Sequence, residues 1–169
     1  MRRLLRKMKG DGAAPPPRPS LQAVGLAFTG CVLVVALLSK ISDQIGTVLL
    51  IGSFGASSLL VFGYPDAPFS QPRNLVFGHV IGAFIGITFL HLFGDNWLIL
   101  ALALGTTVAA MMLTHTVHPP ASSTPVVVFA LKSSWMFIFL PTLVGTLTIL
   151  FFALIYNNTV RQERWPKHW

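Results

Sequence analysis

The chain has 169 residues, of which 53% are hydrophobic and only 10% charged, with a mean hydropathy of +0.70. Soluble domains carry about a quarter charged residues, so this composition excludes a soluble globular protein and defines an integral membrane protein. A single cysteine, Cys31, lies in an apolar run, which excludes a disulfide framework and a multi-cysteine metal site. The net charge of +7 is concentrated at the ends: Arg2, Arg3, Arg6, Lys7, Lys9 and Arg18 precede the first apolar segment, and Arg161, Arg164 and Lys167 follow the last. Basic residues flanking membrane spans mark the cytoplasmic side, so both termini are expected there and the number of crossings is expected to be even. The basic arms are read as contacts for anionic lipid headgroups, with no nucleic-acid partner.

Residues 1–20 form a basic, proline-rich cytoplasmic tail, because Pro15-Pro16-Pro17-Arg18-Pro19 cannot hold a helix interior. A cleaved secretory signal has an apolar core of about 7–15 residues close behind its basic start. Here the core is longer and begins at Leu21, so an uncleaved first span is expected over 21–39, with Lys40, Ser42, Asp43 and Gln44 as the turn outside. The next apolar stretch, 47–62, is shorter and rich in small and hydroxyl residues, which predicts a short or interrupted helix. A proline-rich loop covers 64–74 and a long segment 75–93 follows, with Gly78, Gly82 and Gly86 at four-residue spacing. That spacing puts bare backbone on one helix face and predicts close packing of a neighbouring helix.

Gly94-Asp95-Asn96 is a tight turn, and a fourth long segment covers 97–115. The run 116–125, Thr-Val-His-Pro-Pro-Ala-Ser-Ser-Thr-Pro, is the polar, proline-rich break within the apolar sequence from Trp97 to Tyr156. Irregular backbone at membrane depth survives only where protein buries it or a wet cavity lines it. A short apolar piece, 126–131, and a last long span, 135–156, complete the membrane part; Pro141 is expected to bend the latter and free the carbonyl of Phe137. The tail 157–169 is polar, with Trp165 and Trp169 expected at the interface.

The two breaks share an Ala-Ser-Ser core, Ala56-Ser57-Ser58 and Ala121-Ser122-Ser123, each followed by an apolar run ending in Phe, and each lies between two longer segments. The expected fold is therefore all-α, with six transmembrane segments arranged as two inverted three-helix repeats, about 21–94 and 97–156, the middle helix of each short or broken. Six crossings also put Arg73 and the region of His115 and His118 on the cytoplasmic side. A four-pass alternative with re-entrant short segments puts Arg73 outside, and six is preferred.

Helix N-termini offer unpaired N–H donors and a partial positive charge, which suits an anion. The expected binding residues are Ser53, Gly55, Ala56, Ser57 and Ser58 from the first break and His118, Pro119, Pro120, Ala121, Ser122 and Ser123 from the second. Each dipole supplies only about 0.3–2 kcal/mol, whereas fully stripping an anion costs tens of kcal/mol by Born arithmetic, so many donors or residual hydration are required. Arg73 and Asn74 are expected at the membrane edge in an electrostatic role, because an arginine at the bilayer centre costs about 2.5–3.5 kcal/mol on the insertion scale. His79 and His115, with His118, are candidates for gating or proton linkage. No nucleophile–base set, phosphate loop or dinucleotide signature is present, so no enzyme activity and no cofactor are expected.

At these residues the sequence resembles the HPP family of integral membrane proteins, named for the tripeptide seen here as His118-Pro119-Pro120. The likeness includes Gly52-Ser53-Phe54-Gly55-Ala56-Ser57, Gln71-Pro72-Arg73-Asn74 with Gly78-His79, and Thr116 to Ala121, in the family's order, and covers about 21–156. The resemblance implies a small membrane domain, with cyanobacterial and plastid relatives implicated in nitrite transport. One departure is Ser122-Ser123-Thr124-Pro125, where the family commonly has Gly-Ala-Thr-Ala; Pro125 either starts the helix later, with Thr124 as its cap, or leaves the carbonyl of Ala121 unpaired.

The expected function is a transporter or channel for a small monovalent anion, nitrite first, in a cell inner membrane or, for a eukaryotic source, a plastid membrane. The glycine face is expected to support a homo-oligomer. The alternatives are a non-transporting scaffold or sensor and an intramembrane metal site at His115 and His118.

Overall fold

The computed structural model describes residues 7–8, 12–46, 48–49 and 51–169, and every regular element among them is helical. Arg2, Arg3, Arg6 and Lys9 of the basic arm, and the expected start of the second segment at Thr47, lie outside the described residues.

The first helix, α1, spans Leu21–Ile45 and is opened by Ser20, whose hydroxyl accepts from the Ala23 N–H at 3.1 Å. It runs past the expected end at 39, so Lys40, Ser42, Asp43 and Gln44 are its last turns and not a loop. Polar side chains mark where the chain leaves the apolar layer; the helix itself stops at Gly46, whose φ of 64° is the left-handed cap that glycine adopts freely.

A second, short helix follows as α2, Gly52–Ser58, continued by a wide π-helical turn, Leu59–Gly63. Its terminal carbonyls are met by side chains from distant segments. Ser70 Oγ donates to Leu60 O at 3.0 Å, Asn157 Nδ2 to Val61 O at 3.3 Å and Arg161 Nη1 to Phe62 O at 2.6 Å. The Arg161 side chain is only 5% exposed, and its charge sits where the helix dipole is negative.

The loop 64–71 contains one 3-10 turn, Pro68–Ser70, and α3 begins at Pro72 and ends at Phe93. The start is earlier than 75 because proline at the first helical position loses no intrahelical bond. Asn96 caps α4, Trp97–Leu113, by accepting from Leu98 and Ile99 N–H at 3.1 Å each. After the break, a 3-10 turn, Pro119–Ser123, leads into α5, Thr124–Leu131. The Ala121 carbonyl is not left unpaired, since it accepts the Thr124 N–H.

The last long segment starts as a 3-10 turn, Trp135–Ile138, passes through the irregular stretch Phe139–Leu143 and becomes regular in α6, Val144–Thr159. Leu140 is extended, at φ −127° and ψ 117°, as expected for a residue forced out of helical space by the following Pro141.

By length and composition three stretches are long and apolar enough to cross a membrane: Leu21–Ile45, Pro72–Phe93 and Trp135–Thr159. Three shorter apolar helices lie between them, Gly52–Gly63 in the first gap and Trp97–Leu113 and Pro119–Leu131 in the second. Packing fixes their directions. A Cβ placed on Gly78, Gly82 or Gly86 would meet, in turn, His118, the Ala121 carbonyl and Pro125, so the helix carrying α5 runs parallel to α3. Phe54 lies against Gly145, and Val61 against Asn157, so the helix carrying α2 runs parallel to α6. Tyr156 Oη donates to Leu26 O at 2.8 Å, which places the start of α1 and the end of α6 at the same end of the bundle.

The glycine face of α3 is thus filled by the second break of the same chain, as the packing reading expected, and is not free for a second copy. The C-terminal tail also departs from expectation. Trp165 is 2% exposed, held by Asn158, which accepts from its N–H at 3.1 Å and donates to its carbonyl at 2.5 Å, whereas Trp169 is exposed.

Candidate functional site

The first break presents two faces. Ser53, Phe54, Ser57 and Ser58, at helical spacing, are buried, whereas Gly55 and Ala56 point outward. Ala56-Ser57-Ser58 lies in the second turn of its helix and Ala121-Ser122-Ser123 in the 3-10 turn before α5, so the two copies do not occupy equivalent local positions.

The breaks meet through one hydrogen bond. Ser57 Oγ lies 2.9 Å from His118 Nε2, and His118 Nδ1 lies 2.7 Å from the Phe69 carbonyl. A carbonyl only accepts, so Nδ1 carries a proton, and neutral His118 accepts the Ser57 hydroxyl at Nε2. Ser57 Oγ is also 3.0 Å from the Ser53 carbonyl. Its single hydrogen reaches either acceptor, one at a time.

His79 faces the same junction from α3. Its ring centroid is 5.1 Å from that of His118 and 5.3 Å from that of Phe54. His79 Nδ1 donates to Leu75 O at 3.0 Å, and its Nε2 is buried without a partner. Ser53 Oγ and Thr124 Oγ1 are likewise buried and unpartnered. Unmet polar atoms in a protein interior cost about 1–3 kcal/mol each and call for an explanation; four more lie elsewhere, Thr142 Oγ1, Asn157 Oδ1, Arg161 Nε and Trp165 Nε1.

Arg73 and Asn74 hold the approach to the second break. Asn74 Nδ2 donates to Val117 O and Arg73 Nη2 to Thr114 O, both at 2.8 Å, with Arg73 exposed in the first turn of α3. Asn74 therefore positions backbone two residues from Pro119. His115 is exposed with φ 55°, while His118 is fully buried, so the two imidazoles do not share a site. Among the described residues no three His, Cys, Asp or Glu side chains cluster as metal ligands.

The other serines donate within their own segments: Ser58 to Phe54 O at 2.8 Å, Ser122 to Pro119 O at 2.7 Å and Ser123 to Pro120 O at 2.8 Å. Their protons are not aimed at a common guest. Pro119 is exposed, while Pro120 and Ala121 are buried, Ala121 beside Gly78 and Gly82. Clefts open at the rim instead, one of about 330 Å³ beside Phe28, Cys31 and Leu59 and one of about 310 Å³ beside Arg73, Phe77 and Trp169. Neither is lined by Ser57 or His118.

Sequence reasoning missed the roles of Phe69 and Thr124 at the junction, and of Gln71, whose amide donates to Pro65 O and Ala67 O at 2.9 Å each and accepts from Lys167 N–H at 2.8 Å. Thr124 was visible as a polar residue entering an apolar run. The Phe69 carbonyl carries no side-chain signal.

Fold and site together define a polytopic helical membrane protein in which two short helices meet at a buried polar junction. The model of the HPP transmembrane region matches residues 16–166, and the chain belongs to that family. It is 35% identical over 176 residues to a protein of Dictyostelium discoideum described only as a transmembrane protein, covering 97% of this chain and 56% of the relative. A second transmembrane protein of the same organism is 33% identical over 166 residues, covering 91% of this chain and 58% of the relative. The chain thus spans a little over half the length of these curated relatives. No solved structure matches it.

Proposed function

We propose that the protein is a carrier for a small monovalent anion, nitrite by preference, that moves its substrate through the junction of the two short helices and catalyses no reaction. The observation that carries this reading is the set of buried, unpartnered polar atoms, Ser53 Oγ, His79 Nε2 and Thr124 Oγ1, on the elements that meet at the Ser57–His118 bond. Of the seven such atoms among the described residues, three belong to these elements, where packing alone would favour paired groups.

The architecture is read as six crossings in two inverted repeats. Two relations support this: the helix carrying α2 runs with α6, and the helix carrying α5 runs with α3. Exchange of repeats turns one of these pairings into the other. Inverted repeats with interrupted helices place binding sites between the repeats, near mid-membrane. Both termini are assigned to the cytoplasmic face of an inner membrane, or of a plastid membrane in a eukaryote. A junction outside the open clefts fits a gated carrier in a closed state better than a standing pore.

The test is uptake into liposomes containing the purified chain. Nitrite, nitrate or formate movement above that of protein-free vesicles is the expected result. Absence of all three removes the reading.

A further inference from the structure

We propose that the His79–His118 pair takes up a single proton together with the anion, so that the transported unit is an anion plus a proton; this rests on the carrier reading above. An anion needs N–H or O–H hydrogens directed at it, yet Ser58, Ser122 and Ser123 spend theirs on their own carbonyls. The buried atoms left over are the hydroxyls of Ser53 and Thr124, two uncharged O–H donors, and His79 Nε2, which in the neutral ring is a bare acceptor because Nδ1 donates to Leu75. A bare acceptor repels an anion. With a proton added, the same atom becomes a charged donor, while its bond to Leu75 is retained.

His118 is built to tolerate either protonation state. In the neutral ring Ser57 donates to Nε2. In the cation Nε2–H donates to Ser57 Oγ, and the Ser57 hydrogen turns to the Ser53 carbonyl, 3.0 Å away. No heavy atom moves. With ring centroids 5.1 Å apart, like-charge repulsion lets the pair carry only one added proton, which is shared as a unit.

The charged surroundings do not compete for that proton. Of the elements packed on α3, the first short helix presents Phe54 to His79 and the second break presents His118. Arg73, about 9 Å from His79 along α3, donates to Thr114 O. The described acids pair elsewhere, Asp95 with Lys132, Glu163 with Arg161 and Asp66 with Lys167, while Asp43 lies in the last turn of α1. The proton enters from water, sits on the pair beside the anion and leaves to water on the other side. The loaded site gains one positive and one negative charge, which lowers the cost of carrying either alone through a medium of low dielectric constant.

The experiment uses the full chain in liposomes with an internal pH dye, the membrane voltage clamped by potassium and valinomycin, and protein-free vesicles subtracted because nitrous acid crosses lipid unaided. Nitrite added outside should acidify the lumen in equal amount, and an inward proton gradient should accelerate uptake. Nitrate, which has no undissociated form at neutral pH, separates a proton held by the protein from one held by the substrate. His79→Gln, which cannot take the proton, should lose the gradient dependence; if that variant does not fold, the wild-type proton count decides alone. Anion uptake that carries no proton and follows voltage overturns the inference and leaves the carrier reading standing. No uptake of any anion overturns both.

Discussion

Gly82→Leu should prevent the protein from folding as a monodisperse species in detergent. A Cβ at this position would lie 2.8 Å from the Ala121 carbonyl oxygen and 3.0 Å from Thr124 Cβ, and the first of these is backbone that cannot rotate away. Overpacking a core costs about 1–3 kcal/mol when side chains can adjust. Here the second break itself must be displaced from α3, so the loss lies at or above the top of that range, against a total stability of about 5–15 kcal/mol. Gly105 is the control, since nothing lies within 4 Å of a Cβ built there. Gly105→Ala should be neutral or stabilise by up to about 1 kcal/mol, the helix propensity difference. Thermal unfolding of the two variants in the same detergent checks both expectations.

His118→Phe should abolish anion uptake while leaving a weakened but folded protein. The phenyl ring fills a similar space beside His79 but can neither donate to Phe69 O nor meet Ser57 Oγ. Ser57 keeps the Ser53 carbonyl as an acceptor, so the principal stability loss is the unmet Phe69 carbonyl, about 1–3 kcal/mol. Uptake should fall to the level of protein-free vesicles, because the substitution removes the contact joining the two breaks. Persistence of wild-type uptake in a variant with the expected drop in melting temperature would separate the junction from transport.

The fold was legible wherever polarity and length carry the information. The apolar runs gave the six helical stretches, although the fourth, expected to be long over 97–115, is the shorter helix Trp97–Leu113; the four-residue spacing of Gly78, Gly82 and Gly86 gave a face for close approach, though not its occupant. Boundaries failed where helix and membrane end at different places: Lys40 to Gln44 read as a turn because they are polar, but a helix can leave lipid and continue to a glycine cap. Pro72 read as loop for the same kind of reason, since a first-turn proline and a turn proline look alike in sequence.

At the site, Ser57 and His118 were both singled out, but the bond between residues 61 positions apart is a tertiary fact without a local signal. His79 was a weak candidate in sequence because one histidine in a helix says nothing of a second ring beside it. The reverse error fell on His115, which sequence proximity paired with His118 and the fold separates. Trp165 was assigned to the membrane interface as an amphipathic aromatic; its burial depends on Asn158 and on the tail folding back toward Gln71.

The most direct test of the account is chemical access to the junction itself. In a Cys31→Ser, Ser57→Cys protein reconstituted in liposomes, a small charged thiol reagent should block nitrite uptake, and nitrite present during the reaction should slow the block. Complete modification of residue 57 with nitrite uptake unchanged would contradict the claim that the anion passes between the two short helices.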